Sequence, residues 1–282
     1  MVCDGDGRMI ELDYETGLAF FQQDTYRYLS EIIALECNTP PVPRRVFADQ
    51  HTPTVVMLVE EYIHGPYVTF SDHHPVFVSE CLDWVMATFG HFTLAALDER
   101  ALDAVSKRPD LHVSEMRQNI CYVCKSAWDI PATETTPVKL TPADGDLVLR
   151  YPQRLVKNRP DLYLVFQWFV AAGGGEIHAI KEDGELLAYL SCCRAYERVW
   201  DVDYLHVRDD QHGRDLAVDL AAFYARERLK RDEAPYYSNV ITATSRRSAE
   251  KAGFELCRQV FHAKVADRKN GGGRDSGLGD PK

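Results

Sequence analysis

Val207-Arg-Asp-Asp-Gln-His-Gly-Arg-Asp-Leu-Ala217 is a short polar stretch with one glycine, and it joins two segments of different periodicity. The preceding run, Val199–Val207, is rich in β-branched and aromatic residues, which predicts a strand. Apolar residues then recur at helical spacing and predict a helix over Arg214–Arg231. Backbone N–H groups at the start of a helix, together with the helix dipole, attract anions. The stretch therefore predicts a strand, a loop and a helix with an anion site around Gly213.

A glycine in such a loop is also compatible with an ordinary turn, so a second stretch further along the chain matters. Ser245-Arg-Arg-Ser-Ala-Glu-Lys-Ala-Gly-Phe254 predicts a short helix over Thr244–Ala252, with Gly253 as its C-cap. A strand is predicted before it, at Tyr236–Ile241, and another after it, at Glu255–Val265. The two stretches together predict alternating strands and helices in the C-terminal half.

Turn signals divide the rest of the chain. Glu182-Asp-Gly184 lies between two strand-like runs, Glu176–Lys181 and Glu185–Cys193, and predicts a β-hairpin. Asp129–Pro137 is rich in Pro and Thr, which is typical of a linker between domains. The N-terminal half also alternates strand-like and helix-like runs, so a second mixed α/β lobe is expected there.

The C-terminal motifs resemble those of the GNAT superfamily of N-acyltransferases, from about Val138 to Val265. In that family a strand ending in Val leads into a loop of the form Arg/Gln-x-x-Gly-x-Gly/Ala and then a helix. A later turn and helix close on Lys-x-Gly-Phe. This chain has Asp210-Gln-His-Gly-Arg-Asp215 and Lys251-Ala-Gly-Phe254 at those places. Asp210 and Asp215 depart from the family pattern.

The resemblance implies a mixed α/β (α+β) fold, in which helices flank a mostly antiparallel sheet. We expect a GNAT-like domain at 138–266, an accessory N-terminal α/β lobe at 1–130 and a disordered glycine-rich tail at 267–282. The strand Val199–Val207 should diverge from Tyr236–Ile241 and leave a slot for the pantetheine arm of coenzyme A.

The same resemblance implies that the chain binds acetyl-CoA as acyl donor. The backbone of the divergent strand would meet the pantetheine and the acyl carbonyl, and the loop would hold the diphosphate, chiefly through its N–H groups. Arg246 and Arg247 are candidates for phosphate contacts near the adenosine end, or they form a solvated helix face. The predicted cofactor-binding residues are Leu205, His206, Val207, Gln211, His212, Gly213, Arg214, Asp215, Leu216 and Arg246.

Candidate catalytic residues are carboxylates on the central strand. Asp201 and Asp203 alternate onto one face of a regular strand, where they could accept a proton or neutralise an ammonium group. The alternative is a solvated face or a local salt bridge. His206 falls on the opposite face and is either a base or a packed histidine. Ser245 is a candidate acid or a helix cap, because Ala249 occupies the place where many GNAT members have a tyrosine.

Composition limits the partners. The chain has 282 residues and a net charge of −11, which argues against a nucleic-acid-binding surface. No apolar run is long enough for a membrane span, so a cytoplasmic protein is expected. Cys121 and Cys124 have metal-ligand spacing, but no second pair completes a zinc site, so no metal site is predicted. A homodimer is compatible with these observations.

Two functions follow as hypotheses. The first is an N-acyltransferase that moves acetyl from acetyl-CoA to a primary amine of a small molecule or amino acid. The second is a non-catalytic GNAT-like module that senses acyl-CoA or acts as a protein-interaction scaffold. Asp210, Asp215 and Ala249 are the departures that favour the second.

Overall fold

The computed structural model describes residues 9–37, 42–151, 161–240 and 242–268. The chain divides into two compact units, one formed by Met1–Asn119 with Arg258–Lys282 and the other by Ile120–Cys257. This division follows spatial packing, whereas the predicted domains at 1–130 and 138–266 follow the motifs. Of the predicted tail, the residues from 269 on lie outside the described residues. None of the described helices is long and apolar enough to cross a membrane.

In its described residues, the first unit holds five strands and four helices that belong to it alone. The strands are β1 (Ile10–Leu12), β2 (Arg44–Ala48), β3 (Val56–Tyr62), β4 (Gly65–Phe70) and β5 (His91–Ala96). The helices are α1 (Tyr14–Gln22), α2 (Leu29–Cys37), α3 (Pro75–Phe89) and α4 (Glu99–Ser106). Strand β6 (Leu111–Val123) starts in the first unit and ends in the second.

The second unit follows the same alternation. Its strands are β7 (Val138–Lys139), β8 (Glu176–Glu182), β9 (Glu185–Tyr196), β10 (Val199–Val207) and β11 (Ala234–Tyr237). Its helices are α5 (Gly145–Leu149), α6 (Leu162–Phe166), α7 (Leu216–Lys230) and α8 (Ala243–Lys251). The last strand, β12 (Glu255–Asp267), begins in this unit and continues in the first. The predicted hairpin and the predicted bounds of β10 are confirmed.

Each unit has a mostly antiparallel sheet with one parallel pair. The strand order is β1-β2-β3-β4-β5-β12 in the first unit, where β4 and β5 are parallel. It is β6-β11-β10-β9-β8-β7 in the second unit, where β10 and β11 are parallel. Each parallel pair is joined by a helix, α3 in the first unit and α7 in the second, as parallel neighbours require. The predicted mixed α/β fold is confirmed.

Local signals explain how α3 is bounded. His74 caps its N-terminus by accepting from the Phe77 N–H, Pro75 occupies the first turn, and Gly90 ends it in the left-handed conformation, with φ of 74°. The apolar face of α3 packs on the sheet of the first unit. That core contains Phe47, Met57, Val68, Phe70, Phe77, Leu82, Leu94, Ala263 and Val265.

The sheet of the second unit is covered on both faces. Helices α7 and α8 pack on one face through a core that includes Leu190, Cys192, Val202, Leu220, Tyr224, Ala249 and Phe254. Helices α5 and α6 pack on the other face through a core that includes Leu140, Val148, Tyr151, Phe166, Ile177 and Tyr189. We refer to these as the α7 face and the α6 face.

One buried charged cluster lies on the α7 face. Glu176, His178 and Cys192 place possible metal-ligand atoms within 4.8 Å of one another. The fully buried guanidinium of Arg228 pairs with Glu176, and its Nη2 lies 3.9 Å from the Cys192 sulfur. Arg228 also pairs with Glu233 at 3.0 Å. The cation at this cluster is therefore the arginine itself, which connects α7 to β8 and β9.

The predicted interdomain linker packs on the second unit. The Asp219 carboxylate on α7 accepts from the Thr135 hydroxyl at 2.7 Å and from the Thr135 N–H at 3.0 Å. Gly253 lies so close to the linker that a Cβ there would be 2.5 Å from the Asp129 carbonyl oxygen. Part of the predicted linker is thus held by specific contacts.

Candidate functional site

Strands β10 and β11 separate after three pairs of residues. Their parallel ladder runs from Val199, opposite Ala234, to Asp201, opposite Tyr236, whereas β10 stays paired with β9 as far as Val207. Residues 202–207 of β10 therefore have one edge without a β11 partner, which we call the open edge. Alternate N–H and C=O groups along this edge are available to a ligand. The predicted divergence of the two strands is confirmed.

A β-bulge explains the separation. The β10–β9 register shifts between Val202 and Tyr204, so Asp203 is an extra residue without a partner on β9. A bulge bends its strand and increases the local twist. The bend lies two residues beyond Asp201, the last β10 residue that pairs with β11.

The bulge also changes which side chains share a face. Val202 belongs to the core of the α7 face, while Tyr204 packs on the core of the α6 face. His206 lies beside Tyr151 and Tyr189, both in that second core. Because the extra residue reverses the alternation, His206 lies on the same face as Asp201. The prediction that His206 lies opposite Asp201 was wrong.

Asp201 lies where the two strands part. One of its carboxylate oxygens accepts from the Ser238 N–H at 2.9 Å and the other from the Ser238 hydroxyl at 2.7 Å. Burial raises the pKa of the Asp201 carboxyl to about 6, the bonds from Ser238 oppose this, and the charge of Asp203 adds to it. Asp203 itself is exposed, and partial desolvation raises its pKa. The pair thus holds one carboxyl, that of Asp201, whose pKa is raised to about 6.

Ser238 is a site residue that the sequence did not indicate. It follows β11 directly and has no motif of its own. Only the register of β10 on β11, which is a tertiary property, reveals that it faces Asp201. Cys193 is a second site residue that the sequence did not indicate, because it lies opposite Asp201 on β9. Burial and the charges of Asp201 and Asp203 raise the pKa of its thiol to about 11.

The His206 side chain is held by packing. Its Nδ1 lies 2.8 Å from the Tyr151 hydroxyl, and its ring stacks on that of Tyr189 with centroids 5.9 Å apart. These contacts favour the packed histidine over the base. The backbone of Leu205, His206 and Val207 belongs to the open edge, in agreement with the predicted divergence of this strand.

The segment after β10 is a loop that leads into a helix, as the sequence predicted. Gly213 has φ of 91°, and a Cβ added there would meet no atom within 4 Å. Asp215 precedes α7 with φ of 52° and makes no side-chain cap bond. The N–H groups of Val218 and Asp219 donate to the Asp215 carbonyl, at 2.9 and 3.1 Å, which leaves those of Leu216 and Ala217 as the first N–H groups of the helix without an intrahelical acceptor. Residues 212–215 are exposed, so the loop and the helix start are accessible to an anion.

Ion pairs within the second unit neutralise the acidic residues of this loop. Asp210 pairs with Arg208 at 2.7 Å, and Asp215 pairs with Lys251 of α8 at 3.2 Å. Arg214 reaches Glu182 of the β8–β9 hairpin at 2.9 Å. Apart from the Arg208 side chain, the members of these pairs are exposed and screened by solvent, so the pairs add little stability. They do reduce the negative charge that a diphosphate would meet.

Replacing Asp215 with glycine is expected to tighten CoA binding about two- to fivefold, because a screened negative charge is removed and Lys251 is released. Glycine also adopts the positive φ of this position without strain. Asp232→Gly is the matched control, since it has φ of 57° at the opposite end of α7. Calorimetric titration with CoA measures both variants. A gain that persists in high salt, or that Asp232→Gly reproduces, would contradict this explanation.

Helix α8 is capped differently from the prediction. Thr242 is the N-cap and accepts from the Ser245 N–H, and the two hydroxyls lie 2.6 Å apart. Ser245 is therefore the third helical residue, with its hydroxyl bonded to Thr242. Ala249 is fully buried in the core, so its position supplies no acid. Arg246 is half-buried on α8 and Arg247 is exposed.

The first unit offers an internal comparison. It has the same succession of strand, loop, helix and parallel strand, but β4 and β5 stay paired from Tyr67, opposite Thr93, to Phe70, opposite Ala96. The Leu97 N–H extends the pairing to the Phe70 carbonyl at 3.1 Å. The loop before α3, residues 71–74, contains no glycine. Within the described part of the chain, a separated parallel pair followed by a glycine loop occurs in the second unit.

Comparisons with known proteins give matches among solved structures. No family model matches the sequence, and no curated protein matches it. A GCN5-related N-acetyltransferase from Sphaerobacter thermophilus aligns with a TM-score of 0.57 and 10% identity, over 89% of this chain and 90% of that one. A GNAT-family acetyltransferase from Colwellia psychrerythraea aligns with a TM-score of 0.56 and 9% identity, over 91% and 99%.

A third solved structure, a Drosophila protein, aligns with a TM-score of 0.51 and 16% identity, over 93% of this chain and 99% of that one. At such low identity these likenesses establish the fold alone. This chain has the fold of the GNAT-family acetyltransferases.

Proposed function

We propose that this protein is an N-acyltransferase that transfers an acetyl group from acetyl-CoA to a primary amine of a small molecule or amino acid. The observation that carries the proposal is the open edge of β10, which leads directly into the Gly213 loop and the start of α7. A pantetheine arm can form hydrogen bonds along a free strand edge, and a diphosphate can bind at a helix N-terminus at the end of that edge. In the second unit, the open edge of β10 is followed directly by the Gly213 loop and the start of α7.

The residues of this chain have separate roles in the proposal. Acetyl-CoA supplies the activated acyl group when bound. Among Leu205, His206 and Val207, the alternate N–H groups that point to the open edge orient the acyl carbonyl and stabilise the negative charge that develops on its oxygen. The loop from Gln211 to Leu216 holds the diphosphate, with Gly213 leaving room for close approach.

The two carboxylates act on the amine. Exposed Asp203 holds the incoming ammonium group, and Asp201, with its pKa of about 6, takes up the proton that makes the amine a nucleophile. Since Ala249 is buried and Ser245 is bonded to Thr242, the departing thiolate takes its proton from solvent.

A coupled binding and turnover experiment tests the proposal. Purified protein is incubated with acetyl-CoA and a panel of amines and amino acids while thiol release is followed, and CoA affinity is measured by calorimetry. Turnover of at least one amine is expected. CoA binding without turnover would instead support a non-catalytic sensor, which the missing acid at Ala249 favours, and neither would support an interaction scaffold.

The pH profile assigns the base. Asp201→Asn is expected to lower kcat at pH 7 by about a hundredfold and to remove the acidic limb near pH 6. The fold should survive, because an asparagine can accept from the Ser238 N–H and donate to the Ser238 hydroxyl. Asp203→Asn should raise KM for the amine and shift the limb to lower pH, since a neighbouring negative charge is lost. An Asp201→Asn profile that keeps the wild-type limb would exclude Asp201 as the base.

A further inference from the structure

A cavity of about 570 Å³ opens in the second unit at the start of β10, at the end opposite the Gly213 loop. From Trp200 to Val207 the strand spans about 23 Å at its ordinary rise per residue. Leu140, Phe169 and Val170 of its lining belong to or pack on the core of the α6 face, the face on which Asp201 lies. Asp201, Asp203 and the residues of the open edge are nevertheless not among the described residues that line the cavity, so it is distinct from them.

The walls of this cavity are partly apolar and partly polar. Phe169 and Val170 follow α6, Leu140 and Pro142 follow β7, and the Trp200 indole forms a further wall. Gly174 and Gly175 contribute backbone to the lining. A side chain would not fit at either position, since a Cβ at Gly174 would lie 2.8 Å from the Trp168 carbonyl oxygen and one at Gly175 would lie 2.4 Å from the Cys192 carbonyl oxygen. The volume and lining suit a small organic molecule.

Two cations line the same cavity. The Lys139 ammonium and the Arg194 guanidinium are more than half exposed. Arg194 has a loose ion pair with Glu233, at 3.9 Å, and its guanidinium carbon lies 5.7 Å from the centre of the Trp200 ring. Its planar fork of donors is therefore available to a carboxylate.

The carboxylate that lines the cavity is already neutralised. Glu176 contacts Arg228, Lys139 at 2.9 Å, Arg231 at 3.2 Å and His178 at 3.3 Å. Although burial acts to raise its pKa, these contacts hold the pKa of Glu176 well below its usual range. In a chain of net charge −11, the cavity is a local region of positive charge.

We propose that this cavity is a binding site for a small aryl carboxylate, with Arg194 binding the carboxylate and Phe169 and Trp200 flanking the ring. The assignment follows from apolar walls and an exposed guanidinium at one cavity. It does not depend on acyl transfer, because it uses none of the residues of the open edge, its carboxylates or the loop.

Calorimetric titration of the full chain with phenylacetate tests the proposal. Saturable one-to-one binding is expected. Phenylacetamide, which has the same shape without the charge, and acetate, which has the charge without the ring, should each bind at least about tenfold more weakly. Absence of phenylacetate binding, or equal binding of phenylacetamide, would overturn the proposal.

Variants locate the site. Arg194→Ala should weaken phenylacetate binding about tenfold or more, because a charge-assisted bond is lost. Arg198→Ala is the matched control, since Arg198 lies on the β9–β10 turn and pairs with Asp232, outside the cavity lining. Both arginines are exposed, so neither variant should unfold the protein. Unchanged affinity in Arg194→Ala, or equal loss in Arg198→Ala, would place the ligand elsewhere.

Discussion

Replacing Gly213 with tryptophan is expected to abolish measurable CoA binding while the protein stays folded. Gly213 lies at φ of 91° with open space where a Cβ would be, so the indole would occupy the space beside the start of α7 that the diphosphate needs. A positive φ costs a non-glycine residue about 1–2 kcal/mol, which a folded domain tolerates. Calorimetry with CoA and a thermal melt followed by circular dichroism measure the two effects separately.

Gly90→Trp is the control for that substitution. Gly90 also has a positive φ, of 74°, and a Cβ at this position would also meet no atom within 4 Å. It differs from Gly213 in that it ends α3 in the first unit. It should show a similar loss of stability with unchanged CoA affinity. If Gly213→Trp instead binds CoA as the wild type does, the loop is only a turn and the proposed function loses its main support.

Local sequence signals predicted the elements around this site well. The bounds of β10 and the Glu182-Asp-Gly184 hairpin follow from residue type and turn chemistry, which act over a few residues. The divergence of β10 from β11 was expected from the family resemblance. Its cause, the bulge at Asp203, was not, because a register shift depends on the partner strand. The face of His206 was therefore predicted wrongly.

Long-range partners explain the other differences. Asp210 and Asp215 looked unfavourable beside a diphosphate, yet Arg208 and Lys251 neutralise them. The partner of Asp215 lies 36 residues away, so no local pattern could indicate it. Likewise, Ser238 meets Asp201 because two parallel strands align, which the sequence of neither strand specifies.

The exchange of strands between the two halves of the chain is the largest such difference. In the first unit, β5 pairs with β12 from the C-terminal end, with Phe261 opposite Ala96 and Ala266 opposite His91. In the second unit, β11 pairs with β6 from the N-terminal half, with Tyr237 opposite Tyr122. A division of the chain at the predicted linker removes a strand from each sheet.

Fragments 1–133 and 134–282 are therefore each expected to fail to fold when expressed alone. Without β12, the first fragment loses Arg258, which pairs with the buried Glu31 at 2.7 and 2.8 Å. An uncompensated buried carboxylate costs about 3–5 kcal/mol, against a total domain stability of about 5–15 kcal/mol. Ala263 and Val265 are lost from the same core.

The second fragment fails for the matching reason. Without β6 it loses Ile120, Tyr122 and Cys124 from the core of the α7 face, and β11 becomes an unpaired edge. The shorter fragment 120–257, which contains the whole second unit, should be more stable than 134–282 although it has fewer residues. Near-ultraviolet circular dichroism and thermal melts of the three fragments, and of 1–133 co-expressed with 134–282, measure this. A cooperative melt of 134–282 alone would show that the exchanged strands do not determine the fold, whereas recovery only on co-expression would show that they do.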